Sequence, residues 1–407
     1  MKRVAVTGLG AITPLGNSVE ALIAGLERQE NATVYIPEWE KYKGLRCLVG
    51  APAHLENEKL IPRQNRRSMG RLSIFAVQAA QQALSDANIP QDALSSSRLG
   101  CVIGSTMGSA ESIAEAFETL IPDNDLSKLT STKFFQCVSH TAALNVGQFL
   151  GITGTVMATN AACASGLQAI GAGYDLIRTG QQDIMLCGGA EGLHPTVVGS
   201  FDVLFATSTG FNQKPKQTPR PFDIKRDGLV CGEGSGIIIL EDYDLAKKRG
   251  AKIYAEIIGY TTFGNGSHVS ESSCEAITSC VNETLKRAKV SPQEIDYINA
   301  HATATIQGDR EEASAIREIF GDTVPVSSLK GNIGHTLGAS GAIELIASLI
   351  MMKKNIIYPT LNLKEPAKDC QGINHIMQPL AKKINILLKN CFAFGGINAS
   401  LVCKKEE

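Results

Sequence analysis

Cys163 lies in the stretch "TNAACASGLQAIG", residues 159–171, among Ala, Ser and Gly and just ahead of an amphipathic pattern. Leu167, Ile170, Tyr174 and Ile177 recur at helical spacing and Gly180 follows as a C-cap, so a helix is predicted from about residue 164 to 178. A thiol at that helix start meets unpaired N–H groups and the positive end of the macrodipole, which favour its thiolate. Its small neighbours would let a thioester approach closely. The alternative for this segment alone is a buried structural cysteine, the commoner fate of the residue.

A nucleophilic thiol needs partners, and the second half of the chain offers them in Gly- and Thr-rich turns. His301, in "INAHATATIQGD", directly follows an apolar strand, where a loop at the strand's carboxyl end projects into a crevice. His335, in "SSLKGNIGHTLGASGAIE", lies between a strand and a helix, with Lys330 five residues earlier in the same turn. In "NCFAFGGINASLV", Gly395 and Gly396 permit positive φ and close backbone approach, as an oxyanion-binding N–H requires. A plain hairpin is the alternative there. The clusters "CGGAEG" and "VCGEGSG" are weak signals, and "TGLGAITPLG" lacks the spacing of a dinucleotide fingerprint.

These residues need a scaffold. Short Val- and Ile-rich runs, "RVAVTG", "LGCVIGS", "DIMLCGG", "GIIILE", "IDYINAH" and "VPVSS", alternate with helical patterns such as "GRLSIFAVQAAQQALSDANI" and "SCVNETLKRAKV". That alternation predicts an α/β fold of βαβ units around buried, largely parallel sheet, with more than one sheet needed for all the strands. A polar break at residues 245–255 divides the chain into 1–250, carrying the cysteine, and 251–407, carrying the histidines and Lys330. Each part has a strand, helix and strand followed by Gly-rich turns, which suggests two similar halves packed as one body.

Composition narrows the class. The 407 residues are 43% hydrophobic and 19% charged with a net charge of −1, giving no overall field for nucleic acid or an anionic membrane. Apolar runs such as "GAIELIASLIMM" fall short of the roughly 20 residues of a membrane span and read as buried helices. The eleven cysteines are scattered, no pair has zinc-finger spacing, and "MKRVAVTGLG" runs into a strand without a signal-peptide pattern. A reduced, cytoplasmic protein without a structural metal is expected.

With those pieces in order the chain resembles a β-ketoacyl-acyl-carrier-protein synthase, a type II condensing enzyme of the thiolase superfamily. The resemblance runs from "VAVTGLGAITPLG" through "NAACASG", "RPFDIKRDGLVCGEGSGIIILE", "NAHATAT" and "SSLKGNIGHTLGASGAIE" to "FAFGGINASLV". It implies a layered αβαβα thiolase-like fold with two similar halves, and decarboxylative Claisen condensation of malonyl-carrier protein with an acyl group held on Cys163. His301 and His335 match the pair that holds the malonyl thioester carbonyl. Lys330 matches the lysine supporting that pair, or alternatively a structural ion-pair partner of Glu312, itself at a family acidic position. Phe394 and Gly395 match the oxyanion and gating loop, Thr303 and Thr305 the pantetheine-binding hydroxyls, and Met107 the acyl-pocket lining. Arg63, Arg66 and Arg67, in "IPRQNRRSMGR", match a basic docking segment for the acidic carrier protein.

The resemblance also implies no cofactor beyond the phosphopantetheine that carries the substrates, and a dimer with the partner's "KFFQCVSHTAAL" near the acyl pocket. That dimer is a homodimer, or a heterodimer with a chain-length partner. Ala302 and Ala304 in "HATAT", Ala393 and Ile397 in "FAFGGIN", and Leu329 depart from the fatty-acid pattern, so a ketosynthase of a specialised polyene or polyketide pathway is the runner-up. A thiolase would need Cys391 as a second catalytic cysteine, and a chain-length subunit would lack Cys163.

Overall fold

A computed structural model describes residues 1–266 and 273–406. All six apolar runs form strands, and eleven strands make one hydrogen-bonded sheet. In chain order these are β1 (Val4–Ile12), β2 (Leu99–Gly104), β3 (Val156–Met157), β4 (Ile184–Glu191) and β5 (Gly234–Asp242). They are followed by β6 (Ala255–Gly264), β7 (Tyr297–Asn299), β8 (Pro325–Ser327), β9 (Asn374–His375), β10 (Ile386–Ala393) and β11 (Ile397–Lys405). The spatial order is β9-β8-β7-β10-β11-β6-β1-β5-β4-β2-β3.

This order contains a repeat. From the outside inward, the first half runs third, second, fourth, fifth and first strand (β3-β2-β4-β5-β1), and with the extra edge strand β9 set aside, β8-β7-β10-β11-β6 repeats it in the second half. The strand senses repeat too. β2 is parallel to β3 and β4, with β4–β5 and β5–β1 antiparallel; β7 is parallel to β8 and β10, with β10–β11 and β11–β6 antiparallel. An antiparallel β1–β6 pairing joins the halves. The expectation of separate, largely parallel sheets is therefore corrected to one continuous mixed sheet. Strands covered on both faces read as unbroken apolar runs whichever way they point, so sense is not visible in such runs.

Helices α1 (Arg71–Asp86), α2 (Thr141–Leu150), α3 (Ser165–Arg178), α4 (Cys274–Ala288), α5 (Ile306–Phe320) and α6 (Ser340–Lys354) form three layers around the sheet. Alternation along the strands shows this directly. Ile237 and Ile239 of β5 join Phe75 and Ala80 of α1 and Val146 of α2 in one outer core. Ile238 and Leu240 face inward, into a core shared by Ile170 of α3 and Ile346 of α6. Leu387 of β10 joins that inner core, whereas Leu388 faces Val281 of α4 and Ile316 of α5 in the other outer core. The arrangement is thiolase-like αβαβα, with α3 and α6 as the central layer. A Cβ on Gly341 would lie 2.7 Å from Leu167 N, so glycine lets these two helices cross at backbone contact. Among the described residues no helix is long and apolar enough to cross a membrane.

Candidate active site

The predicted helix at 164–178 is α3, and Leu167, Ile170, Tyr174 and Ile177 are all buried on it. Cys163 precedes its first turn. The bend into the helix places Ala162 at φ +46°, in the left-handed region, where a non-glycine residue is held only by its surroundings. Those surroundings are identifiable. The Ser165 hydroxyl accepts from Ala161 N at 2.8 Å and lies 2.6 Å from the Ala162 carbonyl, and a Cβ on Gly104 of β2 would clash with Ser165 at 2.6 Å.

Two histidines from the other half meet this cysteine. His301 follows β7, and its backbone N–H donates to Glu312 of α5 at 2.9 Å, as does the Ala302 N–H at 2.7 Å. His335 is held at its backbone: its N–H donates to the Val230 carbonyl at 2.7 Å, and its carbonyl accepts from Gly232 N at 2.8 Å. The "VCGEGSG" segment, weak as a motif, thus anchors a site residue. Cys163 Sγ lies 2.9 Å from His335 Nε2, and the two imidazole centroids are 5.2 Å apart in an edge-on arrangement. The Ser340 hydroxyl lies 3.0 Å from His335 Nδ1 and 3.1 Å from the Thr336 hydroxyl.

Electrostatics correct one expectation. Burial pushes the Cys163 thiol pKa up, with the neighbouring Cys391 next in effect, so the helix terminus does not by itself produce a resting thiolate. Burial first, and the Lys330 charge second, hold both imidazoles well below their ordinary range and keep them neutral at pH 7. A neutral His335 Nε2 against the thiol is the arrangement that receives a proton as the sulfur attacks.

Lys330 does not pair with Glu312. Its ammonium donates to Glu344 Oε1 at 2.6 Å, and Lys389 of β10 donates to the other oxygen of the same carboxylate; all three side chains are fully buried. Glu312 instead accepts the two backbone N–H groups above and one from Asn390 at 3.3 Å. Sequence reasoning missed Glu344 and Lys389. Their signal was legible: one carboxylate in the otherwise apolar "GAIELIASLIMM" and one lysine in the buried "ILLKNCFAF" call for each other. Also missed were Ser340 and Glu191, whose buried carboxylate accepts from Thr106 N at 2.8 Å and Gly338 N at 3.0 Å. Burial raises the Glu191 pKa to about 7.

A cavity of about 290 Å³ opens onto Cys163, His301 and His335. Thr303 and Thr305 line it, their hydroxyls 3.0 Å apart, with Phe392 and Phe394 opposite and Leu204, Phe205 and Ile306 toward its mouth. Phe394 opens the Phe394–Gly396 turn between β10 and β11, with Gly395 at φ +89°, and its ring lies 5.9 Å from that of Phe201 at a tilt of 43°. Cys391 does not line the cavity and donates to the Cys163 carbonyl at 3.0 Å with its sulfur 3.7 Å from His301 Nδ1, which removes the support for a second cavity-facing thiol.

Met107 is 41% exposed and does not line this cavity. Arg63 and Arg67 are exposed and make no ion pair among the described residues, whereas Arg66 donates to the Ile61 carbonyl at 2.9 Å and lies 3.6 Å from Glu58, a partly structural role. Ala304 adopts φ +71°, where glycine would be unstrained, while Ala302 carries no such strain.

Two duplicated α/β halves that bring a cysteine from one and two histidines from the other to a single cavity define a thiolase-like enzyme acting on acyl thioesters. The model of the β-ketoacyl synthase N-terminal domain matches residues 1–246, and that of the C-terminal domain matches residues 254–364. The chain belongs to the β-ketoacyl synthase family. It is 32% identical to 3-oxoacyl-[acyl-carrier-protein] synthase 1 of Haemophilus influenzae and of Escherichia coli, covering 100% of this chain and 99% of each relative. It is also similar to a solved β-ketoacyl synthase from Burkholderia phymatum, at 41% identity and TM-score 0.96 with both chains fully covered. A type II polyketide ketosynthase solved in complex with its acyl carrier protein matches at 30% identity and TM-score 0.91, again over both full chains.

Proposed function

We infer that this chain is a 3-oxoacyl-[acyl-carrier-protein] synthase that lengthens a fatty acyl chain by one malonyl-derived two-carbon unit. The observation that carries the assignment of roles is the 2.9 Å approach of Cys163 Sγ to His335 Nε2 at the floor of a cavity shared with His301. The Cys163 sulfur attacks the acyl thioester, its proton passes to His335 Nε2, and the proton leaves on the pantetheine thiol. Malonyl thioester then takes the vacated arm position, its carbonyl oxygen accepting from the two imidazoles. CO2 departs, the bonding pair enters the enolate, and the enolate carbon attacks the acyl carbonyl on Cys163. The sulfur leaves as the thiolate and takes a proton from solvent, while N–H groups of Cys163 and the Phe394–Gly395 turn receive the oxyanion.

His335 Nε2 must accept a proton in the first half-reaction and donate one in the second. The Ser340 hydroxyl at Nδ1 can donate or accept, so it serves both tautomers. Burial first, and the Lys330 charge second, keep both rings neutral, and Glu312 fixes the loop that carries His301. Thr303 and Thr305 receive the pantetheine arm. Every step is assigned to the chain's own side chains and backbone N–H groups, with no bound cofactor.

Arg63 and Arg67 dock the acidic carrier protein. A second copy of the chain covers the sheet edge at β3, where Val156 and Met157 are each 43% exposed, and Phe134, which is 66% exposed. The eleven free thiols suit a reducing cytoplasm. Cys163→Ala is expected to abolish condensation while preserving fold and dimer; condensation retained by that variant sinks the mechanism. The polyketide neighbour, with Ala393 and Ile397 beside the gate, favours the specialised pathway as a second reading. Mass spectrometry of acyl-Cys163 after offering saturated and polyunsaturated carrier proteins separates them, since exclusive polyene loading overturns fatty-acid elongation.

A further inference from the structure

Cys163, His301 and His335 have ligand atoms that all lie within 4.8 Å of one another, in three buried side chains. We propose that this cluster is an inhibitory zinc site, in which Zn2+ bridges the thiolate and the two imidazoles and thereby blocks acyl transfer. Ligand type, count and spacing each support it. One thiolate and two neutral imidazoles are a donor set that Zn2+ prefers, and three protein ligands with a fourth position open is the pattern of an accessible rather than a structural zinc. With Zn–S near 2.3 Å and Zn–N near 2.0–2.1 Å, a tetrahedral ion holds sulfur and nitrogen roughly 3.5 Å apart. The 2.9 Å between Cys163 Sγ and His335 Nε2 has to widen by about 0.6 Å, within reach of a small side-chain rotation.

The surrounding groups are already those of a metal site. The Ser340 hydroxyl at His335 Nδ1, 3.0 Å away, and Cys391 Sγ at His301 Nδ1, 3.7 Å away, can orient both rings with Nε2 toward the ion. The 290 Å³ cavity gives an access route and room for a water as fourth ligand. Binding breaks the Cys163 S–H bond, forms Zn–S, and releases the proton to solvent. No electrons are transferred, and the ion dissociates when a chelator removes it. Binding rests on ligand geometry alone; only its inhibitory consequence rests on the reading of Cys163 as acyl acceptor.

The test titrates the full chain with Zn2+ by calorimetry and with Co2+ by absorbance, in a Cys137→Ser/Cys274→Ser background that removes the two partly exposed thiols. One ion per chain is expected, with a sulfur-to-cobalt charge-transfer band. Alkylation of Cys163, or His301→Ala, is expected to weaken binding at least tenfold, and Ser340→Ala by about 10–100-fold. Zinc is expected to inhibit condensation and a chelator to restore it. Binding unchanged by Cys163 alkylation, or no binding at millimolar Zn2+, overturns the proposal. A metal-free enzyme that binds zinc as expected but never condenses overturns the activity reading and leaves the zinc site standing.

Discussion

Glu344 accepts from Lys330 at 2.6 Å, and its second oxygen accepts from Lys389, so one buried carboxylate holds two buried ammonium groups from different elements. The cluster ties α6 to the 330–333 turn and to β10, the segments that lead to His335 and to the Phe394 turn. Removing the shared anion leaves two unpaired buried cations. Glu344→Gln is expected to lose about 3–5 kcal/mol in urea unfolding. Lys389→Met keeps the Lys330–Glu344 pair and is expected to cost less. A Glu344→Gln protein as stable as the parent contradicts this.

The histidines set the acid side of the pH profile. Burial, followed by the Lys330 charge, lowers both pKa values well below 6.5, so each ring stays neutral to a lower pH than a free imidazole. Falling pH removes activity only when the rings protonate, which places the acid limb of kcat/KM for acyl transfer below pH 6.5. Lys330→Met deletes a positive charge beside them and should move that limb upward. A parent limb above pH 6.5, or no movement in the variant, would count against neutral imidazoles as the working form.

Ala304 holds φ +71° between the two cavity threonines, with its N–H donating to Asp309 at 3.0 Å. A residue with a Cβ costs roughly 1–2 kcal/mol in that conformation, and glycine returns about 0.4–1 kcal/mol as unfolded-chain entropy. Ala304→Gly is therefore expected to stabilise the protein by about 0.5–1 kcal/mol, read as a higher unfolding midpoint. A lower midpoint would show that the strain is not where the backbone places it.

Docking can be separated from packing along Arg63–Arg67. Charge reversal at Arg63 and Arg67, which are exposed, is expected to raise KM for acyl carrier protein while sparing a small acyl thioester. Arg66→Glu should also lower thermal stability, because Arg66 holds the Ile61 carbonyl. Equal loss with both substrates for Arg63→Glu and Arg67→Glu would rule out a docking role.

Local pattern determined a good deal of this molecule. Residue spacing located α3 to within a residue of its start and marked six strands. It singled out Cys163, His301 and His335 because reactive side chains beside Gly and Thr turns, at the ends of apolar runs, have few purely structural uses. Resemblance over the full length supplied the family and the chemistry. Only tertiary structure decided which groups touch. Lys330 has Glu344 as its partner rather than Glu312, because α6 and β10 bring residues 344 and 389 together from positions 45 apart in sequence. The Cys163 thiol is pushed up rather than down, because burial depends on what the other half of the chain stacks over it and outweighs a helix-end effect that local sequence can show. Strand sense stayed hidden for the same reason: pairing direction is set by where a chain returns to, and an apolar run covered on both faces carries no record of that.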